Sequence, residues 1–418
     1  MLNEGWLLFL ALLVIAGIVL GQVPLFAVAA LTFLTYSSAQ LWAKYCLRAV
    51  EYRRSLHPKR AFIGETVDVC LEVTNRKLLP LPWLEMQEEF PKDVPLTRGR
   101  LLASYKEKTG YLVTTSPFRW YERVARHYEV RCQARGYYPF GPAKLRSGDV
   151  FGLYSREEEY ARVDYLIVYP AVLPLSEMGL PSKEPFGDLR VRRQIFEDPT
   201  RTIGVRQYAY GDSSRYIHWK ATARTGQLQV KVFEPTTTHR WLVFLNLSTF
   251  QHFWEGIESK LLEEAITTAA SLCNYAIEHG YQVGLYANAS VHHSSQLARI
   301  PPSQDPNQLT NILEALAKVV PYPSVSMEEL LQTECGGLPW GATIVVVSGA
   351  VTDALLATLI DLKAIGHKVA LLQVGAQDLP ADLGGIFVHR VRLGETQLAD
   401  AYRRPAKVSW ARAVGPER

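Results

Sequence analysis

Trp241-Leu242-Val243-Phe244-Leu245-Asn246-Leu247-Ser248-Thr249-Phe250 is the stretch on which the fold of this chain turns. Five apolar residues in a row leave no polar face, so the segment reads as a strand buried on both sides. Such strands belong to parallel sheets covered by helices. Three comparable runs follow: Val283-Gly284-Leu285-Tyr286, Thr343-Ile344-Val345-Val346-Val347 and Lys368-Val369-Ala370-Leu371-Leu372. Between them the spacing is helical. In residues 257–277 the apolar positions Leu261, Leu262, Ala265, Ile266, Ala269, Leu272, Cys273 and Ala276 form one stripe. Residues 309–319 and 354–365 predict two more helices. The alternation of β and α segments predicts a doubly wound, mostly parallel sheet.

Ligands of such sheets bind beyond the C-terminal ends of the strands. The loops expected there are Asn246-Leu247-Ser248-Thr249-Phe250 and Ser348-Gly349-Ala350-Val351-Thr352-Asp353, both rich in side-chain oxygen. They can meet in space. The plainer reading is that Ser248 and Thr249 start or cap the next segment and that Asp353 caps a helix.

Upstream, from about residue 52 to residue 170, the character changes. Thr66-Val67-Asp68-Val69-Cys70-Leu71-Glu72-Val73 alternates with period two, as a half-buried strand does. Tyr128-Glu129-Val130-Arg131-Cys132 alternates well, Trp83-Leu84-Glu85-Met86-Gln87 less cleanly. Leu78-Leu79-Pro80-Leu81-Pro82, Gly136 and Pro139-Phe140-Gly141-Pro142 punctuate these runs. A small β-sandwich or barrel is expected, a module that presents loops for contacts.

The N-terminus is apolar. Residues 6–20 form an unbroken run, Gly21-Gln22-Val23-Pro24 supplies turn chemistry, and residues 25–34 are apolar again, continuing to Trp42 or Tyr45. Each run is near the lower length limit of a spanning helix, about 17 residues. Trp6, Trp42 and Tyr45 suit the interfaces. A two-helix hairpin in the cell membrane is expected. The rival is a cleaved signal peptide, which requires a positive leading region, whereas Glu4 is the only charged side chain before Trp6. Lys44, Arg48, Arg53, Arg54, Lys59 and Arg60 follow the second run and no Lys or Arg precedes the first. That asymmetry places the soluble part in the cytoplasm, with the basic cluster against anionic headgroups.

The bulk numbers fit this division. A chain of 418 residues exceeds one core. Its 48% hydrophobic and 21% charged content excludes disorder, and a net charge of +4 excludes a polycation. Five scattered cysteines with no Cys-x-x-Cys pair read as reduced thiols. The expected parts are a membrane hairpin (1–48), a β-rich domain (49–172), a linking segment (173–235) and an α/β domain (236–418).

The linking segment holds the densest unusual stretch, Val205-Arg206-Gln207-Tyr208-Ala209-Tyr210-Gly211-Asp212-Ser213-Ser214-Arg215-Tyr216-Ile217-His218-Trp219-Lys220-Ala221-Thr222-Ala223-Arg224-Thr225-Gly226. Gly211-Asp212 reads as a turn. Asp212, Arg215, Lys220 and Arg224 are expected to form a salt-bridged network, since an arginine fork takes a carboxylate bidentately. His218 suits a general acid or base, but no nucleophile or third orienting residue is identifiable. A structural histidine in a charged, aromatic cluster is the plainer reading. Nucleic acid is disfavoured as a partner, because acidic residues interrupt the stretch.

Residues 208–224, with Leu228 and Val230-Lys231 after them, strongly resemble the signature of the family called domain of unknown function 58. Arg135-Gly136-Tyr137-Tyr138-Pro139-Phe140-Gly141-Pro142 and Asp149-Val150-Phe151-Gly152-Leu153 look like the family's upstream strand and loop, with Val150 where proline is usual. Tyr169-Pro170 and the paired membrane helices also fit. The resemblance implies a von Willebrand factor A-like fold for the C-terminal part and a prokaryotic membrane protein. It further implies a partner MoxR-type AAA+ ATPase that supplies energy for chaperone-like assembly. This chain has no G-x-x-x-x-G-K-[ST] loop of its own. A metal-binding A domain places Asp-x-Ser-x-Ser after its first strand; here the matching positions are Asn246, Ser248 and Phe250. Asn lacks the charge and Phe lacks an oxygen, so a degraded site is implied. Asn246, Ser248 and Asp353 are the candidates if Mg²⁺ binds.

The leading expectation is a membrane-tethered, non-enzymatic protein without a cofactor. Its signature residues Gly211, Asp212, Arg215, His218, Trp219, Lys220 and Arg224 would engage the ATPase or a client protein. One rival is a Mg²⁺-dependent, adhesion-type binder. The other is a hydrolase-like enzyme using His218 with Asp212, which requires a cleft holding both.

Overall fold

A computed structural model describes residues 11–12, 14–19, 21, 23–180, 197–209, 212, 214–235, 240–250, 255–292, 294–335, 342–377, 383, 385–391 and 393, with the side chains of 197–203, 215 and 233–235 left outside that set. The chain divides between Tyr169 and Pro170 into two compact units.

The first unit contains the helix Val23–Tyr45 near its N-terminal end. Among the described residues it is the one helix long and apolar enough to cross a membrane. Of the earlier apolar run, residues 6–10, 13 and 20 lie outside the described residues, and residues 11–12 and 14–19 are helical. The C-terminal end of the helix runs into the β-rich part of the unit. Trp42 packs against the core of the β-rich unit, where Cys46 and Leu47 are buried. Tyr36 meets Tyr154 edge to face, with ring centroids 5.6 Å apart.

Beyond the helix the unit is built of strands. Val50–His57, Thr66–Asn75 and Arg123–Arg131 form an antiparallel sheet with Thr66–Asn75 in the middle. That strand buries every second residue, as its alternation dictates. A five-stranded antiparallel sheet, centred on Leu81–Pro91, supplies the facing layer. Val67, Val69, Leu71 and Val73 from one sheet share a core with Leu84, Met86 and Leu145 from the other. A third sheet joins Asp164–Tyr169 to Arg60–Phe62 and Gly136–Phe140.

A cluster of charged side chains lies inside this unit around Arg54. The Arg54 side chain is 2% exposed and binds Glu88, itself fully buried, while its Nε donates to Asp164 at 3.1 Å. Tyr52 donates to Glu88 at 2.5 Å, and Arg54 Nη2 donates to the Arg162 carbonyl. Arg54 is therefore removed from the expected headgroup-facing basic cluster. Its alternate position on Val50–His57 points inward, and burial there requires carboxylate partners.

In the second unit, Arg240–Asn246 is the centre of the sheet. It pairs in parallel with Gln282–Val291 on one side and Thr343–Ser348 on the other. Lys368–Val374 and Phe387–Val391 extend the parallel part, and Leu297–Ser303 adds an antiparallel edge. Leu242, Phe244, Ile344, Val346 and Leu371 pack with helices Met327–Cys335 and Asp353–Ala364. The alternate residues Val243, Leu245, Val345, Val347 and Leu372 are also fully buried, and helix Ser259–Glu278 lies against their strands. Burial on both faces explains the unbroken apolar runs.

The connections leave the central strand in opposite directions, first to Gln282–Val291 and later back to Thr343–Ser348. The strand ends at Asn246 and Ser348 are thus a topological switch point, where such sheets place their ligands.

The buried Arg54 group yields a stability prediction. Glu88→Gln or Arg54→Met alone should cost about 3–5 kcal/mol, by stranding a buried charge. The double replacement by Met should recover much of that loss. Denaturant midpoints of the full chain in detergent measure this, and single variants within about 1 kcal/mol of the wild type would refute it.

Candidate functional site

At the switch point the side chains bind one another. Asn246 Oδ1 accepts from the Ser248 N–H at 3.1 Å and from Asn288 Nδ2 at 2.8 Å. Asn288 Oδ1 accepts from the Leu247 N–H at 2.9 Å. Backbone N–H groups can only donate, so both amide orientations are fixed by chemistry. The Asn246 Nδ2 then faces Ser348 Oγ at 2.9 Å, and the Ser348 hydroxyl donates to the Ala350 carbonyl. All three side chains are buried.

A second clamp lies beside it, and it holds a cation: the Arg390 guanidinium donates to the Gln377 carbonyl at 2.8 Å. Gln377 accepts from the Val351 N–H at 2.9 Å and donates to the Val351 carbonyl at 2.8 Å. The buried Gln373 amide donates to the Gln377 carbonyl. Gly349 and Gly375 press on Leu261, leaving no room for a side chain: a Cβ at either would come within 2.9 Å of it.

These residues do not fit a Mg²⁺ site. A hard cation needs oxygen ligands with negative charge among them. Asn246 is neutral, and its amide oxygen already accepts two protein donors. Phe250 contributes no oxygen, and Ser248 is held by its backbone. Asp353 stands exposed in the first turn of its helix. The cap of that helix is Thr352, not Asp353: Thr352 Oγ1 accepts from the Leu355 N–H at 3.1 Å and donates to Glu328 at 2.7 Å. Thr249 does tie down the following segment, accepting from the Glu258 N–H at 2.9 Å.

The signature stretch is a separate small structure. Strands Glu197–Gln207 and Gln229–Pro235 pair antiparallel, and the connection holds a 3-10 turn, Ser214–Tyr216, and a helix, Trp219–Thr225. His218 is the N-cap. Its Nδ1 accepts from the Ala221 N–H at 3.1 Å, while its own N–H donates to the Gln229 carbonyl at 2.7 Å. An accepting Nδ1 carries no proton, so the ring proton sits on Nε2. Gly226 closes the helix in the left-handed conformation, φ 68°, donating to the Thr222 carbonyl. Thr222 Oγ1 accepts from the Gln229 N–H at 3.0 Å, fastening the helix to the returning strand.

Asp212 is bound by Arg206, not by the cations expected from spacing. Its two oxygens take Arg206 Nη1 and Nη2 at 2.7 and 2.6 Å, and one also accepts from the Ala209 N–H at 2.8 Å. Those hydrogen bonds hold the Asp212 carboxyl below its ordinary value of 3.8. A lowered carboxylate value means that the link is present at neutral pH and is lost only as pH falls through that lowered value. Among the described residues Lys220 and Arg224 are exposed and form no ion pair. Gly211 and the Arg215 side chain lie outside the described residues. His218 and Asp212 have different partners and are not hydrogen-bonded to each other.

Sequence reasoning missed Arg206, Thr222, Asn288 and Gln377. Asn288 gave one usable signal: an amide inside a run of Leu, Tyr and Ala on a buried strand must have a partner.

The capping role makes a specific prediction. His218→Asn preserves an N-cap acceptor and should leave the segment intact. His218→Ala should cost about 1 kcal/mol locally and speed exchange of the Ala221 amide about fivefold. Hydrogen exchange of the full chain reads both, and equal loss in the two variants would show that the imidazole does something a cap does not.

Comparison with known proteins gives one family and distant likenesses. The chain is 25% identical over 264 residues to "Uncharacterized protein YeaD" of Bacillus subtilis (strain 168), covering 61% of this chain and 59% of the relative. Among solved structures, proximal thread matrix protein 1 from the mussel byssus matches 41% of this chain and 48% of its own at 12% identity, TM-score 0.27. A cohesin module from Clostridium perfringens matches 28% of this chain and 94% of its own at 11% identity, TM-score 0.18. At such values neither says anything about the fold or the activity. The profile described as "Protein of unknown function DUF58" matches residues 204–415, half of the chain, and spans both the signature segment and the sheet, so the protein belongs to that family.

Proposed function

We propose that this protein is a membrane-tethered, non-enzymatic binding protein that presents its signature segment to a MoxR-type AAA+ ATPase, in the assembly or maturation of a client protein. The observation that carries this reading is Trp219, 69% exposed on a helix whose two ends are fixed by His218 and Gly226. A large aromatic on a preorganised surface, followed by the exposed cations Lys220 and Arg224, has the chemistry of a binding hot spot. Tyr216 and Leu228 of the same segment are exposed as well.

Other features support the same reading. Asn246, Asn288 and Ser348 at the strand ends are uncharged and bond one another. The chain carries no phosphate-binding loop, so an energy-dependent role requires a partner. The parallel sheet with one antiparallel edge is read as von Willebrand factor A-like. The helix Val23–Tyr45 serves as the tether, and Lys44 in its last turn with Arg48 and Arg53 after it favour a cytoplasmic location for the rest.

The test uses the full chain in mild detergent, with ATP and the purified ATPase. Trp219→Ala should weaken binding by about 2 kcal/mol, ~30-fold, whereas His218→Asn should leave it within a few-fold of wild type. Equal affinities for Trp219→Ala and wild type would overturn the assignment of the contact, and no binding by wild type would overturn the partner.

A further inference from the structure

A second contact surface lies in the first unit, on the loop Asp149-Val150-Phe151-Gly152-Leu153-Tyr154. Val150, Phe151 and Leu153 are 62%, 61% and 51% exposed, although each is a large apolar residue. They are not exposed by looseness. Asp149, 1% exposed, lies beneath them and gathers the loop's backbone. Its carboxylate accepts from the N–H groups of Phe151 at 2.9 Å, Leu153 at 3.3 Å and Tyr154 at 2.6 Å. Gly152 takes a left-handed turn, φ 71°, with open space around it. Trp83 Nε1 donates to the Asp149 carbonyl from below at 3.3 Å. The loop is a rigid frame that holds apolar side chains outward.

Its position says what covers them. The end of the loop and the strand that follows, Ser155–Tyr160, meet the apolar helix at two points: Tyr154 meets Tyr36, and Arg156 donates to the Lys44 carbonyl at 3.1 Å. Past the end of the helix, Tyr160 donates to the Val50 carbonyl at 2.9 Å. The strand therefore ascends away from the helix's apolar end, and the residues before Tyr154 lie on the opposite side, toward that end. The helix from Val23 to the residue before Thr35 is about 18 Å long at 1.5 Å per residue, against a hydrocarbon core of about 30 Å. A bilayer crossed by this helix extends past Tyr36. Whatever flanks Tyr36 on the membrane side meets lipid.

We infer that Val150, Phe151 and Leu153 insert into the interfacial layer of the bilayer beside the helix Val23–Tyr45, as a second, independent membrane contact. This rests on the reading of that helix as a membrane tether. The surrounding charge is consistent. Lys44 and Arg48 lie over the Tyr45 ring, at 5.9 and 4.8 Å, at the C-terminal end of the helix. The acidic run Glu157-Glu158-Glu159 lies beyond Arg156, on the side away from the loop. Two contacts, one helix and one rigid loop, fix the tilt and rotation of the β-rich unit on the membrane, which a helix alone leaves free.

The experiment uses the full chain with Cys70→Ser, reconstituted in lipid nanodiscs. An environment-sensitive fluorophore is placed at Phe151→Cys in one sample and at Leu34→Cys, on the exposed face of the helix, in another. Both positions are exposed, so labelling leaves the fold intact. Blue-shifted emission at both sites, with quenching of the Phe151 label by lipids carrying a nitroxide near the headgroup, is the expected result. A shift at Leu34 with none at Phe151 overturns the lipid contact, leaves the tether standing and marks the loop as a protein-contact surface. No shift at either site overturns the tether and the loop contact together.

Discussion

Two backbone N–H groups, those of Leu247 and Ser248, decide what the strand ends of the second unit can do. They fix the orientations of Asn288 and Asn246, which in turn aim the Asn246 Nδ2 at Ser348. The sheet delivers Asn246 and Ser348 side by side, because their strands are in register there. In a doubly wound sheet this is the place for a ligand. Here the donors and acceptors are matched to one another, buried and neutral. A satisfied polar network stabilises the loops around it and offers little to an incoming ion.

The exposed aromatic surfaces are built differently. The signature segment shows how a short piece of chain becomes one. A seven-residue helix is too short to hold itself together in water. It persists because His218 caps one end, Gly226 closes the other, and Thr222 ties it to Gln229. What this scaffold leaves free is Trp219. The same logic governs the loop after Gly148, where the buried Asp149 carboxylate orders the backbone and leaves Phe151 outside. In both places a polar side chain is used to organise backbone so that an aromatic can stay exposed.

Much of this was legible in the sequence, for reasons that vary by element. Thr66–Asn75 was readable because one of its faces is buried, so polarity records its pleat. The runs starting at Trp241, Thr343 and Lys368 were readable because both faces are buried. The edge strand Leu297–Ser303 was not, since Pro301-Pro302 reads as a breaker; an edge tolerates proline because one side needs no hydrogen bonds. Helix Met327–Cys335 is short enough to leave too few turns of periodicity. The partners of Asp212 were misjudged for a physical reason. The cations after it lie on the helix side of the connection, whereas Arg206 is brought to it by the pairing of two strands, which spacing along the chain does not show. Arg54 likewise looked like part of a basic surface, and only the burial of its strand face sends it inward.

At the switch point Asn246, Asn288 and Ser348 satisfy one another and carry no negative charge for a hard cation. Calorimetric titration of Mg²⁺ into the full chain in detergent tests it most directly, with Asn246→Asp as the companion. The account predicts no saturable heat for the wild type. Saturable one-to-one binding by the wild type, lost in Ser248→Ala, would contradict it.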